Sequence, residues 1–328
     1  MRGEFASIAA LTALLPRPGD DVAVWIGDDA AAVRCDGRSW LLLAADTVVG
    51  GVHADLGLTG IDDLGWKAVA ASVSDIAAMG GEAAHALVTV AGPPDTDLEL
   101  LYSGVAAAAS AFGCPVVGGD LTNSETLVVT VAVTGYCDGP PVRRDGAQPG
   151  ESVWVTGPLG GAAAGLRLLR AERTGAGGGP PLRTGPQTGA AADGVRRHAR
   201  PVALLRAGAA ARRAGATAMI DVSDGLTADL EHVASASGVG LRLRAVPSHA
   251  AASVEEALSG GEDFELVFCA PDDEAVGEAF AGLSPPVRIG VCVADPAERT
   301  LDGRPYVPGG WEHAWSRRAG DGGPGEQK

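Results

Sequence analysis

Lysine is almost missing from this chain, which has Lys67 and Lys328 as its two lysines among 328 residues. The P-loop that binds phosphates in many NTPases needs a lysine within the pattern GxxxxGK[ST], and that pattern does not occur. The motif set of the protein kinases is missing as well. Any phosphate chemistry in this protein must therefore depend on arginine, backbone N–H groups and metal ions.

Other absences narrow the class of protein further. The five cysteines are odd in number and form no CxxC pair, which argues against a disulfide framework and against a zinc site. We interpret them as free thiols of a cytoplasmic protein. The sequence has no run of about 18 apolar residues and no signal peptide, so we expect no membrane span.

Positive charge is also scarce, and the net charge is −16 with a pI near 4.7. A surface of this sign repels nucleic acid and anionic membranes, so we predict neither as a partner. It should repel ATP too, unless cations lie between the carboxylates and the phosphates.

Periodicity and turn residues predict strands that alternate with helices, which is typical of an α/β or mixed α+β protein. We predict a buried strand over 40–45 that ends at Asp46, a helix over 64–79, an Ala-rich helix over 98–112 and a short strand over 115–117. We place an N-terminal domain at 1–140, a C-terminal domain at 141–316 and a flexible tail at 317–328. The segment 174–194 is rich in Gly, Pro and Thr, which predicts a disordered loop.

Acidic residues recur where predicted strands meet loops, mostly beside Gly, Ser or Ala: Asp28 and Asp29, Asp46, Asp75, Asp120, Asp221 with Asp224, and Glu262 with Asp263. Small neighbours let a ligand approach and leave the carboxylates unshielded. Mg²⁺ prefers oxygen ligands and bridges to phosphates, so it would relieve the repulsion among such groups. Each acid alone is more often part of a turn or a helix cap, and the hypothesis of a magnesium site depends on their joint occurrence.

A series of motifs runs in order over nearly the whole chain outside the low-complexity segment. It includes GDDAAAV (27–33), GWKAVAASVSDIAAMGG (65–81), VVGGDLT (116–122), MIDVSDGLTADL (219–230) and GGEDFEL (260–266). This combination resembles the thiamine-monophosphate kinase family, within the superfamily of aminoimidazole ribonucleotide synthetase and selenophosphate synthetase. The resemblance implies an N-terminal α/β domain whose sheet helps to form a homodimer, followed by a C-terminal α/β domain.

The resemblance also implies a reaction and the residues that perform it. The reaction is phosphorylation of thiamine monophosphate to thiamine diphosphate, with ATP as co-substrate and several Mg²⁺ ions. The implied metal ligands are Asp29, Asp46, Asp75, Asp120 and Asp221, with Asp224 as a further metal contact. The implied ATP contacts are Tyr102, Gly119, Asp120, Arg144 and Ser223. The implied substrate contacts are His53, Glu262 and Trp311. We predict that Asp75, Asp120 and Asp224 are catalytic.

Five of these residues also have ordinary structural interpretations. His53 could close a turn, Tyr102 could pack within a helix pair, and Trp311 could belong to the core. Arg144 could be a surface charge, and Ser223 could be the N-cap of the helix that follows it. Without the resemblance, the structural interpretation would be preferred for His53, Tyr102 and Trp311.

One departure from the family pattern precedes Asp46, where the family commonly has Ser or Thr and this chain has Ala44 and Ala45. A metal contact at these two positions would have to use backbone carbonyl groups. The departure favours one alternative, a non-catalytic paralogue that binds thiamine phosphate or a nucleotide. Another ATP-using enzyme of the same superfamily is the second alternative.

The expected mechanism is direct in-line phosphoryl transfer. The acceptor is a phosphate monoester whose second pKa is near 6, so its oxygens are largely ionised and need no general base. This fits a sequence without an obvious catalytic His or Lys. Positioning and neutralisation of phosphate charge would then supply the catalysis.

Overall fold

The computed structural model describes residues 4–35, 39–175 and 188–312. The first half contains α1 (Glu4–Thr12), β1 (Val22–Val24), β2 (Ala31–Arg34), β3 (Ser39–Val49), α2 (Ile61–Ala78), β4 (Glu82–Gly92), α3 (Leu98–Phe112), β5 (Val116–Asn123) and β6 (Val128–Asp138). The second half contains β7 (Ser152–Val155), α4 (Gly161–Gly175), α5 (Ala190–Ala199), α6 (Leu205–Arg213), β8 (Ala218–Asp221), α7 (Leu226–Ser237), β9 (Gly240–Leu243), α8 (Val254–Ser259), β10 (Leu266–Ala270), α9 (Asp273–Ala279), β11 (Val287–Val293), β12 (Arg299–Leu301) and β13 (Arg304–Pro305).

The N-terminal sheet has the strand order β1-β2-β3-β6-β4-β5, and α2 and α3 cover one of its faces. All neighbouring pairs are antiparallel except β4 and β5, which α3 connects as a parallel pair. On the covered face, Leu42 and Val131 are fully buried. This face and the two helices form the N-terminal core.

The opposite face of the N-terminal sheet, which we call the outer face, is partly apolar. Strand side chains alternate between the two faces of a sheet, so the neighbours of buried residues point outward. Leu43, Leu87 and Tyr136 lie on this face with 40%, 49% and 45% of their surface exposed. The outer face is therefore a partly apolar surface without a covering layer among the described residues.

The C-terminal sheet has the strand order β13-β12-β9-β11-β7-β10-β8. Its central strands are short and apolar, and all five residues of β10 are buried. Phe268 on β10 stacks between Trp154 and Phe280, with ring centroids at 6.4 and 5.7 Å. The strand β8 forms one edge of this sheet and ends at Asp221, next to the N-terminal half.

Two predicted strand ends were wrong. The strand β3 continues past Asp46 to Val49, because β6 pairs with it over its whole length and Thr47, Val48 and Val49 are good strand formers. The strand β5 likewise continues through Asp120 to Asn123 as the parallel partner of β4. Asp46 and Asp120 thus lie within strands and not at their ends.

The predicted disordered loop at 174–194 falls mainly on 176–187, outside the described residues, as does the predicted tail at 317–328. The last part of the loop prediction was wrong, because residues 190–194 form the first half of α5. The Asp193 carboxylate fixes this helix by accepting hydrogen bonds from Arg196 and Arg197 and pairing with His249. No helix in the described ranges is long and apolar enough to cross a membrane.

Candidate active site

Three carboxylates from distant parts of the chain meet where the two halves touch. Asp29 lies in the turn before β2, Asp75 lies on α2, and Asp221 is the last residue of β8. One oxygen atom from each lies within 4.8 Å of the other two, which is close enough for a shared metal ion. The acidic cluster, by which we mean these three residues, combines the two halves in one site. Asp75 lies within α2, in agreement with the helix predicted over 64–79, and not where a strand meets a loop.

The electrostatics of the cluster disfavour three negative charges in the absence of a cation. Burial, with a further contribution from the charge of Asp29, raises the pKa of Asp221 to about 8. Burial and then the charges of Asp46, Asp221 and Asp29 raise the pKa of Asp75 well above its usual value. Asp46 belongs to the same charge group, since burial and Asp29 raise its pKa to about 6. A site of this kind stabilises bound cations.

Two donors already hold the cluster in place. The Arg144 guanidinium donates to both oxygens of Asp29, with Nη2–Oδ1 at 2.5 Å and Nε–Oδ2 at 3.3 Å. Its main-chain N–H donates to Asp28, whose pKa is nevertheless raised to about 6 by burial and by Asp29. Ser74 Oγ donates to Asp221 Oδ2 at 2.5 Å. Arg144 is therefore a partly buried member of the site and not a surface charge.

The loop after β8 carries Ser223 and Asp224 to the edge of the cluster. The N-cap of α7 is Gly225, so the interpretation of Ser223 as the N-cap was wrong. Buried Asp229, which the sequence analysis did not single out, accepts the N–H groups of Asp224 and Gly225. Asp229 thus fixes the conformation of the loop. Its position in SDGLTAD, five residues after Asp224, is the signal that could have identified it.

Trp311 lies beside the same loop. Its main-chain N–H donates to the carbonyl oxygen of Asp224 at 3.0 Å. The approach requires glycine at position 310, because a Cβ there would lie 2.6 Å from that oxygen. The Trp311 side chain is 52% exposed, so its interpretation as a core residue was wrong. Its position next to Asp224 suits a contact with bound substrate.

The GGEDFEL segment runs alongside this loop in a strained conformation. Glu262 and Phe264 both have positive φ, at 65° and 49°, which is unfavourable for residues other than glycine. Their N–H groups donate to the carbonyl oxygens of Ser223 and Val222 at 2.8 and 2.9 Å. The predicted substrate contact Glu262 is therefore fixed next to the predicted ATP contact Ser223.

The other two acids of this segment anchor it to neighbouring elements. Asp263 accepts the N–H groups of Gly160 and Ala162 at the start of α4. Glu265 pairs with Arg197 on α5, with the two atoms at 3.1 Å. These two carboxylates therefore hold the segment in place.

Glu262 faces a buried lysine that was not among the predicted site residues. Lys67 Nζ lies 2.7 Å from Glu262 Oε2 and 3.2 Å from the carbonyl oxygen of His53. His198 Nδ1 lies 3.5 Å from the same carboxylate oxygen. Burial alone would raise the pKa of Glu262, but Lys67 and His198 outweigh it and lower that pKa to about 2. His53 also closes a turn, as its structural interpretation expected, because its Nδ1 accepts the N–H of Val49.

Asp120 does not join the acidic cluster. Asp46 pairs with Val131, Val131 with Val88, and Val88 with Gly119, so Gly119 lies three strands from Asp46, about 14 Å across the sheet. Asp120 is one residue further along and therefore points to the outer face, opposite to the cluster. Within one chain, a single metal ion cannot bind both Asp120 and the cluster.

Tyr102 and the two alanines are the remaining predicted site residues. Tyr102 on α3 packs against the N-terminal core, in line with its structural interpretation, and burial raises its pKa. Ala44 and Ala45 provide no side-chain oxygen. Since consecutive strand residues point their carbonyl groups to opposite sides, one of the two faces β6. The other faces the side where β2 begins, near Asp29.

Both halves of the chain match known protein families. Residues 27–137 match the family AIR synthase related protein, N-terminal domain, and residues 148–302 match AIR synthase related protein, C-terminal domain. The fold and the site thus define an AIR synthase-related protein.

Comparison with individual proteins indicates a narrower family than the two domain matches do. The thiamine-monophosphate kinase of Salmonella typhimurium is 35% identical over 84% of this chain and 87% of its own length. That of Mycobacterium tuberculosis is 36% identical over 94% of this chain and 91% of its own. The solved structure of AaThiL complexed with AMPPCP and TMP has a TM-score of 0.80 and 32% identity, covering 96% of this chain and 99% of that one.

This chain belongs to the thiamine-monophosphate kinase family. The resemblance stated from the motifs is confirmed, and so is the two-domain mixed α/β fold.

Proposed function

We propose that this chain transfers the γ-phosphoryl group of ATP to thiamine monophosphate, giving thiamine diphosphate and ADP. The observation that carries the proposal is the acidic cluster of Asp29, Asp75 and Asp221, assembled between the two halves of a family member. The likeness to AaThiL, solved with AMPPCP and TMP, supports the choice of substrates. We also propose a cytoplasmic location, and the domain boundary at 140/141 stays a prediction.

The residues of the site fit Mg²⁺. Carboxylate oxygens are the ligands that this cation prefers, and the raised pKa values of Asp46 and Asp221 mark a place where added positive charge is favourable. Asp29, Asp46, Asp75 and Asp221 would hold the ions, with Asp224 and a carbonyl of Ala44 or Ala45 next to them. When bound, Mg²⁺ would neutralise phosphate charge.

The chain's own residues then position the two substrates. A terminal oxygen of the acceptor phosphate forms a bond to the γ-phosphorus while the bond to the β–γ bridging oxygen breaks, and ADP leaves. The acceptor is already ionised near neutral pH, so no residue has to remove a proton. Arg144 supplies a guanidinium to the phosphates, Ser223 lies beside them, and Glu262 and Trp311 orient the acceptor.

A homodimer through the outer face is part of the proposal. Its exposed apolar side chains, which include Leu43, Leu87 and Tyr136, are typical of a surface that a second subunit covers. Asp120 lies on the same face, so in such a dimer it would serve the active site of the neighbouring subunit.

The function is tested by measuring thiamine diphosphate formed from thiamine monophosphate, ATP and Mg²⁺. Asp75→Ala and Asp120→Ala should each abolish turnover while circular dichroism shows an intact fold. Near-wild-type activity in both variants would overturn the assignment. Binding of both substrates by the wild type without turnover would instead support the alternative of a non-catalytic paralogue.

Mixing the two inactive variants tests the shared site. If Asp120 acts across the dimer, a mixed dimer has one site in which both residues are intact. Random reassociation should then restore about a quarter of the wild-type activity, since half the dimers are mixed and each has one working site. If both residues serve their own chain, mixing restores nothing.

A further inference from the structure

We propose that Lys67 is a positioning residue that orients Glu262 so that one carboxylate oxygen, Oε1, accepts a hydrogen bond from an uncharged donor on the substrate. This inference rests on the proposed function, because it concerns the acceptor end of the same site. It adds a residue to that site and defines the chemistry which the site selects.

The contacts of the pair divide the carboxylate into an occupied and an available oxygen. Lys67 Nζ and His198 Nδ1 both approach Oε2, at 2.7 and 3.5 Å. Oε1 accepts no hydrogen bond from the described residues, and the Glu262 side chain remains 29% exposed. Lys67 is only 3% exposed, so the ammonium cannot turn away into solvent. The available oxygen is therefore the one that a ligand can reach.

Lys67 also connects the two predicted substrate contacts, which come from different halves of the chain. Its remaining contact is the carbonyl oxygen of His53, at 3.2 Å. One buried ammonium thus fixes the loop after β3 relative to the GGEDFEL segment. The positive φ of Glu262 is maintained against its conformational cost by this pair and by the bond to Ser223.

The helix α2 sets the distance between the acceptor end and the acidic cluster. Lys67 and Ser74 are seven residues apart, so they lie on the same side of the helix and about 10 Å apart along its axis. Ser74 holds Asp221 in the cluster. A rigid helix therefore fixes Glu262 at one end of the site and the metal-binding carboxylates at the other.

Charge decides which kind of group the available oxygen selects. The ammonium of Lys67 neutralises the carboxylate of Glu262, and burial lowers the pKa of His198, which favours its neutral form. A neutral pair does not attract a cation strongly, but its free oxygen still accepts a hydrogen bond. The exocyclic amino group of the aminopyrimidine ring of thiamine is an uncharged donor of the required kind.

The test compares Lys67→Met with the double variant Lys67→Met/Glu262→Gln in steady-state kinetics. Lys67→Met leaves an unpaired, misoriented carboxylate, so KM for thiamine monophosphate should rise roughly tenfold or more, with KM for ATP nearly unchanged. The double variant replaces the charge by a neutral amide and should recover most of the lost affinity. A merely structural role would predict that both KM values change together and that the second substitution restores nothing.

A substrate analogue provides an independent measurement. Oxythiamine monophosphate has a carbonyl in place of the amino group, so the wild type should discriminate against it and Lys67→Met should lose most of that discrimination. If Lys67→Met does not fold, Lys67→Arg is used, since it keeps the charge but cannot reproduce both contacts of the ammonium. An unchanged KM for thiamine monophosphate and unchanged discrimination in the folded variant would overturn the inference.

The activity of the wild type distinguishes a failure of this inference from a failure of the proposed function. If wild-type protein forms no thiamine diphosphate, the proposed function fails. If the wild type turns over normally and Lys67→Met has the same KM, the role of Lys67 alone is rejected.

Discussion

Ser74 contributes to the site through a single atom. It is fully buried on α2, and its hydroxyl donates to the carboxylate of Asp221. Other acids surround that carboxylate and raise its pKa. The hydrogen bond from Ser74 favours the charged form and so opposes this rise. Ser72 lies two residues earlier on the same helix and is equally buried. Its hydroxyl, however, donates to the carbonyl oxygen of Val131.

We predict that Ser74→Ala raises the Mg²⁺ concentration needed for half-maximal activity several-fold. Without the donor, the pKa of Asp221 rises further, so a cation has to displace a more tightly held proton. The free energy of unfolding should also fall, by about 1–3 kcal/mol. The measurement is a Mg²⁺ titration of the initial rate at constant ATP.

Ser72→Ala is the matched control for this prediction. It removes a buried hydroxyl from the same helix without touching a carboxylate, so it should lower stability and leave the Mg²⁺ dependence unchanged. An equal shift of the Mg²⁺ titration in both variants would show that Ser74 acts through the stability of the helix and not through Asp221.

Two helices of the N-terminal half approach each other very closely. At Gly104 on α3, an added Cβ would lie 1.8 Å from the carbonyl oxygen of Asp62 on α2, which is far inside the contact distance. At Gly65 on α2, it would lie 2.3 Å from the carbonyl oxygen of Leu101. This close packing fixes α2, the helix that carries Asp75 and Lys67, within the N-terminal half.

We predict that Gly104→Ala destabilises the protein by about 3 kcal/mol, because the new methyl group must force the helices apart. Thermal denaturation measures the loss. Gly277→Ala is the control, since position 277 lies on α9 and nothing approaches an added Cβ within 4 Å. That substitution should stabilise the helix by about 0.5–1 kcal/mol. A similar effect of both substitutions would contradict the close packing of α2 and α3.

Elements defined by local signals could be predicted from the sequence. The helix over 98–112 was predicted with the bounds that the structure gives, because Asp97 caps its start and Gly113 adopts the left-handed conformation at its end. The ends of β3 and β5 could not be predicted, since pairing with β6 and β4 extends both strands past their local stop signals.

The same distinction applies to the candidate site. Acidic motifs identified Asp29, Asp75 and Asp221, which the fold brings together. The face to which Asp120 points depends on the register of several strands, and no local pattern contains that information. Lys67 was missed because its partner Glu262 lies 195 residues away in the sequence.

At the scale of the whole molecule, the acidic cluster and the neighbouring Asp46 link stability to pH and to divalent cations. The pKa of Asp221 is raised to about 8 and that of Asp46 to about 6, both above the value near 3.9 of an unfolded chain. A raised pKa means that folding favours the protonated acid. Its contribution to stability is complete below about pH 4 and is lost as the pH rises through the folded-state values.

We predict that Mg²⁺ raises the melting temperature more at pH 8 than at pH 5.5. At the lower pH the cation must displace protons from the cluster, whereas at the higher pH it relieves repulsion between charges. The difference should be on the order of 1–2 kcal/mol in the free energy of unfolding. Differential scanning fluorimetry with and without Mg²⁺ at the two pH values measures it.

Asp75→Asn serves as the reference for this measurement, because it removes one negative charge from the cluster and changes the side-chain shape little. The variant should show a smaller effect of Mg²⁺ and a weaker dependence of that effect on pH. An effect of Mg²⁺ that is the same at both pH values in the wild type would contradict the assignment of the cluster as its binding site.

The helix α2 is fastened to the second half of the chain along its whole length. From its first turn to just beyond its end, the contacts are Arg200 with Asp62 and Asp63, Lys67 with Glu262, Ser74 with Asp221, and Arg212 with the carbonyl oxygen of Gly80. A hinge motion that opened the cleft would have to break all of these contacts at once. We therefore expect ligands to enter and leave through local movements of loops and side chains, while the two halves move as one rigid block.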